Sequence, residues 1–363
     1  MLSSHELQRY SRHLLLKEVG HEGQARLKQA RVLLIGAGGL GAPVGQYLAA
    51  AGVGRLVIMD DDLVDVSNLQ RQVIFNTDDI GQPKSLVASR RLRALNPHIE
   101  VEGIQARFSA TNAAELVRQC DLVVDATDNF PTRFLANDAC VLAGKPYVFG
   151  AVFRFEGQLS VFNFRGGPCY RCLFPAPPKA GTVPNCAEGG VLGVLPGIVG
   201  TMQANEALKI ILQCGDVASG RLILFDALAT AFHSIKVARD RLCPSCGDSP
   251  SIRDLGANAV IEVDVKAVAQ LLADGDILLL DVRTHEERSI CAIKGAKHLS
   301  LDEIMSGTCS LDRERDMVLH CKSGVRSRLA AEKLMSMGYK KVRSMRGGIL
   351  EWIRSVDQGL PTY

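Results

Sequence analysis

A glycine-rich segment near the start of this 363-residue chain has the pattern of a phosphate-binding loop. Gly36, Gly38 and Gly41 form GxGxxG between an apolar run and a helix-forming segment, and Asp60 follows roughly 20 residues later. Glycines let backbone N–H groups approach phosphate oxygens, and the N-terminus of a helix favours their negative charge. The pattern predicts a nucleotide site, but by itself it leaves NAD or FAD as open as ATP.

Charged residues further along the chain favour a triphosphate. Arg71 and Lys84 are cations suited to meet phosphate oxygens, and Asp128 and Asn129 follow a predicted strand, where a carboxylate could hold Mg²⁺. An enzyme that breaks the α–β phosphate bond needs such charges, because negative charge grows on the leaving pyrophosphate. Hydride transfer needs none of them. The plainer alternative makes Arg71 and Lys84 solvated surface charges.

Four cysteines form two CxxC pairs, Cys169–Cys172 and Cys243–Cys246, which lie far apart in the chain. Two thiolates with two residues between them bind one ion well, and two such pairs complete a tetrahedral Zn²⁺ site. A redox-active CxxC is the alternative, but two pairs without thioredoxin-like surroundings favour zinc. Because four thiolates leave no open position on the ion, the predicted zinc is structural.

Cys321 lies in HCKSGVRSR (320–328), between a predicted strand and a predicted helix. The backbone N–H groups of such a loop point inward, and with a helix N-terminus and Arg326 they would stabilise an anion. The spacing is C-x4-R, one residue tighter than the C-x5-R of cysteine phosphatases, which favours a single terminal sulfur over phosphate. A buried structural cysteine is the remaining alternative.

Cys186 is a second candidate nucleophile. It lies in GTVPNCAEGG (181–190), whose glycines and proline predict a flexible loop of the kind that carries a reactive group over an active site. By spacing alone, an ordinary free cysteine is the better interpretation. The other cysteines are interpreted as buried or incidental: Cys120, Cys140, Cys214, Cys291 and Cys309.

The apolar pattern predicts the scaffold that positions these residues. It indicates an α/β fold, with a Rossmann-like, doubly wound parallel sheet that carries the structural zinc and a second, small α/β domain. Strands are predicted at 31–35, 55–59, 99–108, 121–127 and 145–152, and helices at 5–30, 40–51 and 191–213. A stretch with Gly, Pro and Ser predicts a linker at 248–257, between domains 1–247 and 258–363.

Bulk composition restricts the function classes. Apolar residues make up 47% of the chain, charged residues 22%, and the net charge is +3. The mixed charges indicate no nucleic acid and no anionic membrane as partner. The N-terminus lacks a signal-peptide pattern, and the longest apolar stretch is too short to span a bilayer. We therefore expect a cytoplasmic protein whose 11 cysteines serve as thiols and metal ligands.

Several motifs closely resemble the MoeB/ThiF group of ubiquitin-activating-type adenylyltransferases over roughly residues 5–247. They are RYSRH (9–13), GAGGLG (36–41), SNLQRQ (67–72), Lys84, TDN (127–129) and the CYRC and CPSC pairs. The resemblance implies that ATP and Mg²⁺ are used to adenylate the C-terminal glycine of a ubiquitin-like sulfur carrier. Such a carrier is MoaD- or ThiS-like and ends in Gly-Gly.

The same resemblance implies roles for individual residues. The implied nucleotide-site positions are Gly36, Gly38, Gly39, Gly41, Asp60, Ser67, Asn68, Leu69, Gln70, Arg71, Lys84, Asp128 and Asn129. Asp128 would hold Mg²⁺. A homodimer is implied, in which Arg12 reaches the ATP bound to the partner subunit. The resemblance also implies that Cys186 forms a covalent link with the carrier or the sulfur donor.

Residues 258–360 resemble the rhodanese family. The matching segments are LLLDVRTHEE (278–287), IKGAKHLSL (293–301), CKSGVR (321–326) and RGGILEW (346–352). The resemblance implies a persulfide carried on Cys321. The chain departs from the family at Cys291 and Ala292, where many rhodaneses have Gly-His, and this concerns the framework more than the active loop.

Together, the two resemblances predict that an acyl-adenylate made by the first domain accepts sulfur from Cys321, with a cysteine desulfurase as the sulfur donor. Molybdopterin, thiamin, tRNA thiolation and other sulfur metabolites stay open as pathways. One alternative function is a NAD- or FAD-dependent oxidoreductase with a redox-active C-terminal domain. Another is a non-catalytic scaffold that binds a ubiquitin-like protein, against which the intact charged set and Cys321 argue.

Overall fold

The computed structural model describes residues 2–178, 189–255, 260–307, 309 and 311–362. The chain divides into two compact units, Met1–Leu255 and Gly256–Tyr363. Leu255, which the sequence places in the linker, packs against an apolar core of the first unit. Within the described ranges, no helix combines the length and the apolar character that crossing a membrane requires.

The first unit is built on an eight-stranded sheet. Its strands are β1 (Arg31–Ile35), β2 (Arg55–Met59), β3 (Glu100–Ile104), β4 (Leu122–Asp125), β5 (Tyr147–Phe153), β6 (Glu156–Phe162), β7 (Arg221–Asp226) and β8 (Ala231–Lys236). They lie in the order β3-β2-β1-β4-β5-β6-β7-β8. The pairs from β3 to β5 are parallel, which confirms the Rossmann-like sheet. The carboxyl ends of β1, β2 and β4 therefore meet at one edge, where ligands bind in such folds.

Helices cover both faces of this sheet. They are α1 (Ser4–Arg9), α2 (Ser11–Leu14), α3 (Gly20–Gln29), α4 (Gly41–Ala51), α5 (Lys84–Leu95), α6 (Ala113–Arg118), α7 (Phe130–Ala143), α8 (Tyr170–Leu173) and α9 (Val194–Leu212). Side chains of β1 alternate between two apolar cores, with Val32 and Leu34 in one and Leu33 and Ile35 in the other. A strand buried on both faces requires an unbroken apolar run, which is why RVLLI predicts it.

The sheet departs from a wholly parallel one in its last three strands, which run antiparallel. Only Arg154 and Phe155 connect β5 to β6, and Arg154 adopts a φ of 53°. A connection of that length forms a hairpin and cannot make the crossover that parallel neighbours need. The edge strand β8 is mostly exposed, so no apolar run signals it in the sequence.

The second unit has its own parallel sheet. Its strands are β9 (Ile261–Val263), β10 (Leu278–Asp281), β11 (Lys297–His298), β12 (Met317–His320) and β13 (Val342–Met345), in the order β11-β10-β12-β13-β9. Its helices are α10 (Val265–Ala273), α11 (His285–Ile290), α12 (Leu301–Ser306), α13 (Val325–Ser336) and α14 (Gly348–Ser355). The central strand β12 is buried throughout and ends directly before Cys321. The predicted second α/β domain is therefore present.

Candidate functional site

The glycine loop connects β1 to α4 and depends on glycine at two positions for its shape. Gly36 adopts a φ of +95°, and a Cβ on it would lie 2.8 Å from the Ala126 carbonyl oxygen. A Cβ on Gly41 would lie 2.0 Å from the Gly36 carbonyl oxygen. Gly38 differs, because a Cβ there would make only an ordinary contact, 3.5 Å from Gln72 Nε2. Gly36 and Gly41 therefore shape the loop, whereas Gly38 leaves the space beside it open.

Asp60, at the end of β2, fixes the glycine loop in place. Its carboxylate accepts hydrogen bonds from the Ala37 N–H at 2.8 Å and the Asp62 N–H at 2.9 Å. Burial raises the pKa of Asp60, and the two N–H groups oppose that shift. Asp60, Asp61 and Asp62 place carboxylates within 4.8 Å of one another. We assign no ion to them, since backbone N–H groups already hold Asp60.

The two predicted cations are anchored differently. Lys84, the first residue of α5, is buried, and its Nζ lies 2.8 Å from Asp62 Oδ2. Arg71 is half-buried and donates from Nη1 to the Ser67 carbonyl oxygen at 3.0 Å. Each positive charge is thus held in a defined place before a ligand binds, which favours electrostatic preorganisation.

A buried carboxylate that the sequence analysis does not single out holds the loop that carries Asp128. Asp125 accepts hydrogen bonds from the Thr127 N–H at 2.8 Å, the Thr127 hydroxyl at 2.7 Å and the Tyr147 hydroxyl. Burial raises the pKa of Asp125. Asn129 caps the start of α7 with its side chain, and Asp128 between these anchors is exposed.

These residues surround one cavity of about 320 Å³, here called the glycine-loop cavity. The predicted nucleotide-site residues that line it are Gly36, Gly38, Gly39, Asp60, Arg71, Lys84, Asp128 and Asn129. Among described residues, the predicted ones outside its lining are Arg12, Gly41, Ser67, Asn68, Leu69 and Gln70. Side chains that line it without having been predicted include Gln72, Arg107, Phe108 and Thr132.

The glycine-loop cavity suits a nucleoside triphosphate. Its volume lies within the range of ligand sites, and its glycines present backbone rather than side chains to a phosphate chain. Arg71 and Lys84 would offset charge that grows on a leaving pyrophosphate. The exposed carboxylate of Asp128 is the kind of oxygen ligand that Mg²⁺ takes beside phosphates.

The two CxxC pairs meet in a four-cysteine cluster made by Cys169, Cys172, Cys243 and Cys246. Their Sγ–Sγ distances include 3.5 Å for Cys169–Cys243, 3.4 Å for Cys172–Cys246 and 3.9 Å for Cys169–Cys172. A tetrahedron with Zn–S bonds of 2.3 Å has edges of about 3.8 Å, so the cluster fits Zn²⁺. The hydrogen bond between the two sulfurs lowers the pKa of Cys172 and raises the pKa of Cys169, so these sulfurs hold a shared proton that a bound metal ion would displace.

A buried ion pair joins the two CxxC pairs without using their sulfurs. Arg171, inside the first pair, donates from Nε and Nη2 to the two carboxylate oxygens of Asp138, at 2.7 Å each. Ser245, inside the second pair, donates its hydroxyl to Asp138 Oδ1 at 3.0 Å. Asp138 lies on α7, which begins at the glycine-loop cavity. One helix therefore contributes to both sites.

Two further predicted residues are not brought to these sites by the described part of the chain. Cys186 lies outside the described residues. Arg12 is exposed on α2. Its predicted contact is with ATP bound to a partner subunit, which a single chain does not test.

In the second unit, residues 321–324 form the Cys321 loop, which connects β12 to α13. Cys321 is buried, and its Sγ accepts a hydrogen bond from the Gly324 N–H at 3.2 Å. Gly324 has a φ of +95° and starts α13. Ile349 N–H holds the loop from another side by donating to the Cys321 carbonyl oxygen at 2.8 Å. A sulfur anion on Cys321 therefore has a backbone donor in place.

Arg326 is engaged in an ion pair. Its Nη1 and Nη2 atoms each lie 2.6 Å from a carboxylate oxygen of Glu287. The guanidinium charge is thus already compensated, and the observed donor to the sulfur is the backbone N–H of Gly324. The sequence pattern C-x4-R identifies the loop, while the contacts give Arg326 a partner on α11.

His320, directly before Cys321, belongs to a buried polar group. Its Nε2 lies 3.8 Å from Asp281 Oδ2, and Arg283 donates to the same carboxylate at 2.7 and 2.9 Å. Arg283 also donates to the Cys291 carbonyl oxygen at 2.7 Å, so Cys291 belongs to the framework of this domain. Burial lowers the pKa of His320 to about 4, which keeps the ring neutral near pH 7.

Comparisons with known proteins find a matching family for each of the two units. A ThiF family model matches residues 10–245, and a rhodanese-like domain model matches residues 264–355. The chain is 56% identical over 255 residues to the sulfur carrier protein adenylyltransferase of Thermus thermophilus, which covers 69% of this chain and 94% of that protein. It is 42% identical over 381 residues to the probable adenylyltransferase/sulfurtransferase MoeZ of Mycobacterium tuberculosis, with 100% and 96% covered. The crystal structure of E. coli MccB with ATP matches with a TM-score of 0.59 and 25% identity, over 66% of this chain and 75% of that one.

Proposed function

Because the chain belongs to the ThiF family and carries a rhodanese-like domain, we propose that it adenylates a ubiquitin-like sulfur carrier and then transfers sulfur to it. The observation that carries the proposal is the glycine-loop cavity, where Arg71, Lys84 and Asp128 meet, in a chain that also contains the Cys321 loop. A relative that matches the full length of this chain is named for both activities.

The first reaction activates the carrier. An oxygen of its C-terminal glycine carboxylate attacks the α-phosphorus of ATP, the α–β phosphate bond breaks, and pyrophosphate leaves. Arg71 and Lys84 compensate the charge that develops on the phosphates, and the N–H groups of the glycine loop orient them. Asp128 would hold Mg²⁺, which supplies further charge compensation when bound.

The second reaction delivers sulfur. The terminal sulfur of a Cys321 persulfide attacks the acyl carbon, and the bond from that carbon to the AMP oxygen breaks. A second thiol then attacks the Cys321 sulfur, so that the carrier leaves as a thiocarboxylate and a disulfide remains on the enzyme. Cys186 is the candidate for that thiol, from its sequence context. A thiol reductant restores both cysteines, and a cysteine desulfurase supplies the next persulfide sulfur.

The proposal includes an assembly and a compartment. We place structural Zn²⁺ in the four-cysteine cluster and a homodimer around the glycine-loop cavity, with the exposed Arg12 reaching the phosphates bound to the partner subunit. The carrier is MoaD- or ThiS-like, so molybdopterin and thiamin synthesis are the leading pathways. The cytoplasm is the fitting compartment, since it supplies ATP and keeps thiols reduced.

The test combines the protein with ATP, Mg²⁺, a cysteine desulfurase with cysteine, and a carrier that ends in Gly-Gly. We expect carrier-dependent ATP–pyrophosphate exchange and a gain of about 16 Da on the carrier, because one oxygen is replaced by sulfur. A carrier without its last glycine is the matched control and should give neither signal. Exchange that is absent with MoaD-like and ThiS-like carriers alike would overturn the proposed function.

A further inference from the structure

Gln72 is a buried polar side chain in the wall of the glycine-loop cavity, and the motif resemblance gives it no role. It is 5% exposed, and among the residues that the structure describes its Oε1 has no hydrogen-bond partner. An unpaired buried carboxamide oxygen is unfavourable, because its desolvation is not repaid by a bond. A polar group kept in such a position indicates a requirement other than folding.

The backbone holds Gln72 in this position. Its N–H donates to the Asn68 carbonyl oxygen at 2.9 Å, and its carbonyl oxygen accepts from the Phe75 N–H at 3.0 Å. Phe75 is buried in an apolar core of the first unit. These contacts fix the backbone of Gln72, so its side chain starts from a defined point in the wall of the cavity.

The side chain of Gln72 faces the part of the cavity where phosphates belong. Its Nε2 lies 3.5 Å from the position that a Cβ on Gly38 would occupy, and both residues line the cavity with Arg71. In folds of this kind, the second glycine of the loop is where the backbone comes closest to the phosphate chain. Because Oε1 is enclosed, the amide is the polar end left to meet a ligand.

We propose that Gln72 is a binding residue for the triphosphate, with its Nε2–H group donating a hydrogen bond to a phosphate oxygen of ATP. A neutral donor beside Arg71 fixes the direction of the phosphate chain without adding a further positive charge. The inference rests on the proposed adenylation and goes beyond it, since it names a neutral side chain as part of phosphate recognition.

Two substitutions test this role. Gln72→Met keeps the length of the side chain and removes its hydrogen bonding, and we expect the Kd for Mg-ATP to rise about 10- to 100-fold. The melting temperature of the ligand-free protein should not fall, because the unpaired oxygen is removed as well. Gln72→Glu keeps the shape and places negative charge beside the phosphates, so its Kd should rise further than that of the Met variant. Calorimetric titration and thermal melting supply the two readouts.

The control is Gln119→Met, which changes an exposed residue at the end of α6 and should alter neither readout. A Met variant that melts lower but binds ATP normally would make Gln72 purely structural and overturn the inference. A Glu variant that binds ATP as tightly as the unaltered protein would also overturn it, because the oxygen end would then face the ligand. If the unaltered protein binds ATP without carrier-dependent exchange, only the proposed function fails.

Discussion

The four-cysteine cluster and the Cys321 loop use the same side chain for different purposes. In the cluster, four sulfurs lie within 4.8 Å of one another, and Asp138 ties together the turns that carry them. In the loop, a single buried sulfur faces the backbone N–H of Gly324 at 3.2 Å. Four sulfurs at one site suit a structural metal ion that stays bound as long as the protein is folded. A single sulfur with a backbone donor suits a bond that forms and breaks in each turnover.

The largest effect should come from Cys321→Ala. Sulfur transfer to the carrier should fall by more than about a thousandfold, because the nucleophile is gone, while ATP–pyrophosphate exchange continues. Mass spectrometry of the carrier and an isotope-exchange assay measure the two activities. Cys309→Ala in the same unit is the matched control and should retain both. Loss of exchange in Cys321→Ala would remove the distinction between the two cysteine sites.

A cysteine-to-alanine substitution in the four-cysteine cluster should lower the stability of the protein. Cys172→Ala removes one of four thiolates, so we expect loss of bound zinc and a fall in melting temperature of about 10 °C or more. Elemental analysis and calorimetry give the two values. Chelator treatment of the unaltered protein should reproduce the fall. A Cys172→Ala protein that melts normally would mean that the cluster contributes nothing to the fold.

A smaller effect is expected from Asp138→Asn. The substitution leaves Arg171 without its buried carboxylate partner, so the two CxxC pairs lose the contact that aligns them, and zinc affinity should fall about 10- to 100-fold. Competition with a chromophoric chelator measures it. Asp121→Asn, which alters an exposed pair with Arg31, is the control. Unchanged affinity in Asp138→Asn would show that the cysteines alone organise the cluster.

The smallest effect concerns pH and the residue before Cys321. His320 has a pKa of about 4 in the fold and about 6.5 when unfolded. The unfolded chain therefore binds more protons between these values, and acidification lowers the free energy of unfolding. From about pH 6.5 to about pH 5 the loss should be about 1–2 kcal/mol.

His320→Leu should remove that part of the pH dependence, since it has no ring to protonate. Urea unfolding at the two pH values, followed for the unaltered chain and the variant, measures the difference. If the free energy of unfolding depended on pH equally in both proteins, the buried site of His320 would not exclude the charged ring.

Sites that depend on short spacing could be predicted from the sequence. GxGxxG, the two CxxC pairs and C-x4-R each describe groups separated by a few residues on one turn, so the local backbone brings them together. Gln72, Asp125 and Asp138 could not be found this way. Each acts through a contact with a distant segment, and nothing in the neighbouring residues shows that its polar group points inward.

Apolar periodicity and local spacing are enough to predict the α/β class, the two domain types and the short motifs at the candidate sites. Which distant groups meet depends on the tertiary structure. It brings Cys169 within 3.5 Å of Cys243, pairs Arg326 with Glu287, and turns the last strands of the first sheet antiparallel. These outcomes depend on the packing of segments far apart in the chain, where side-chain contacts and short connections set the geometry.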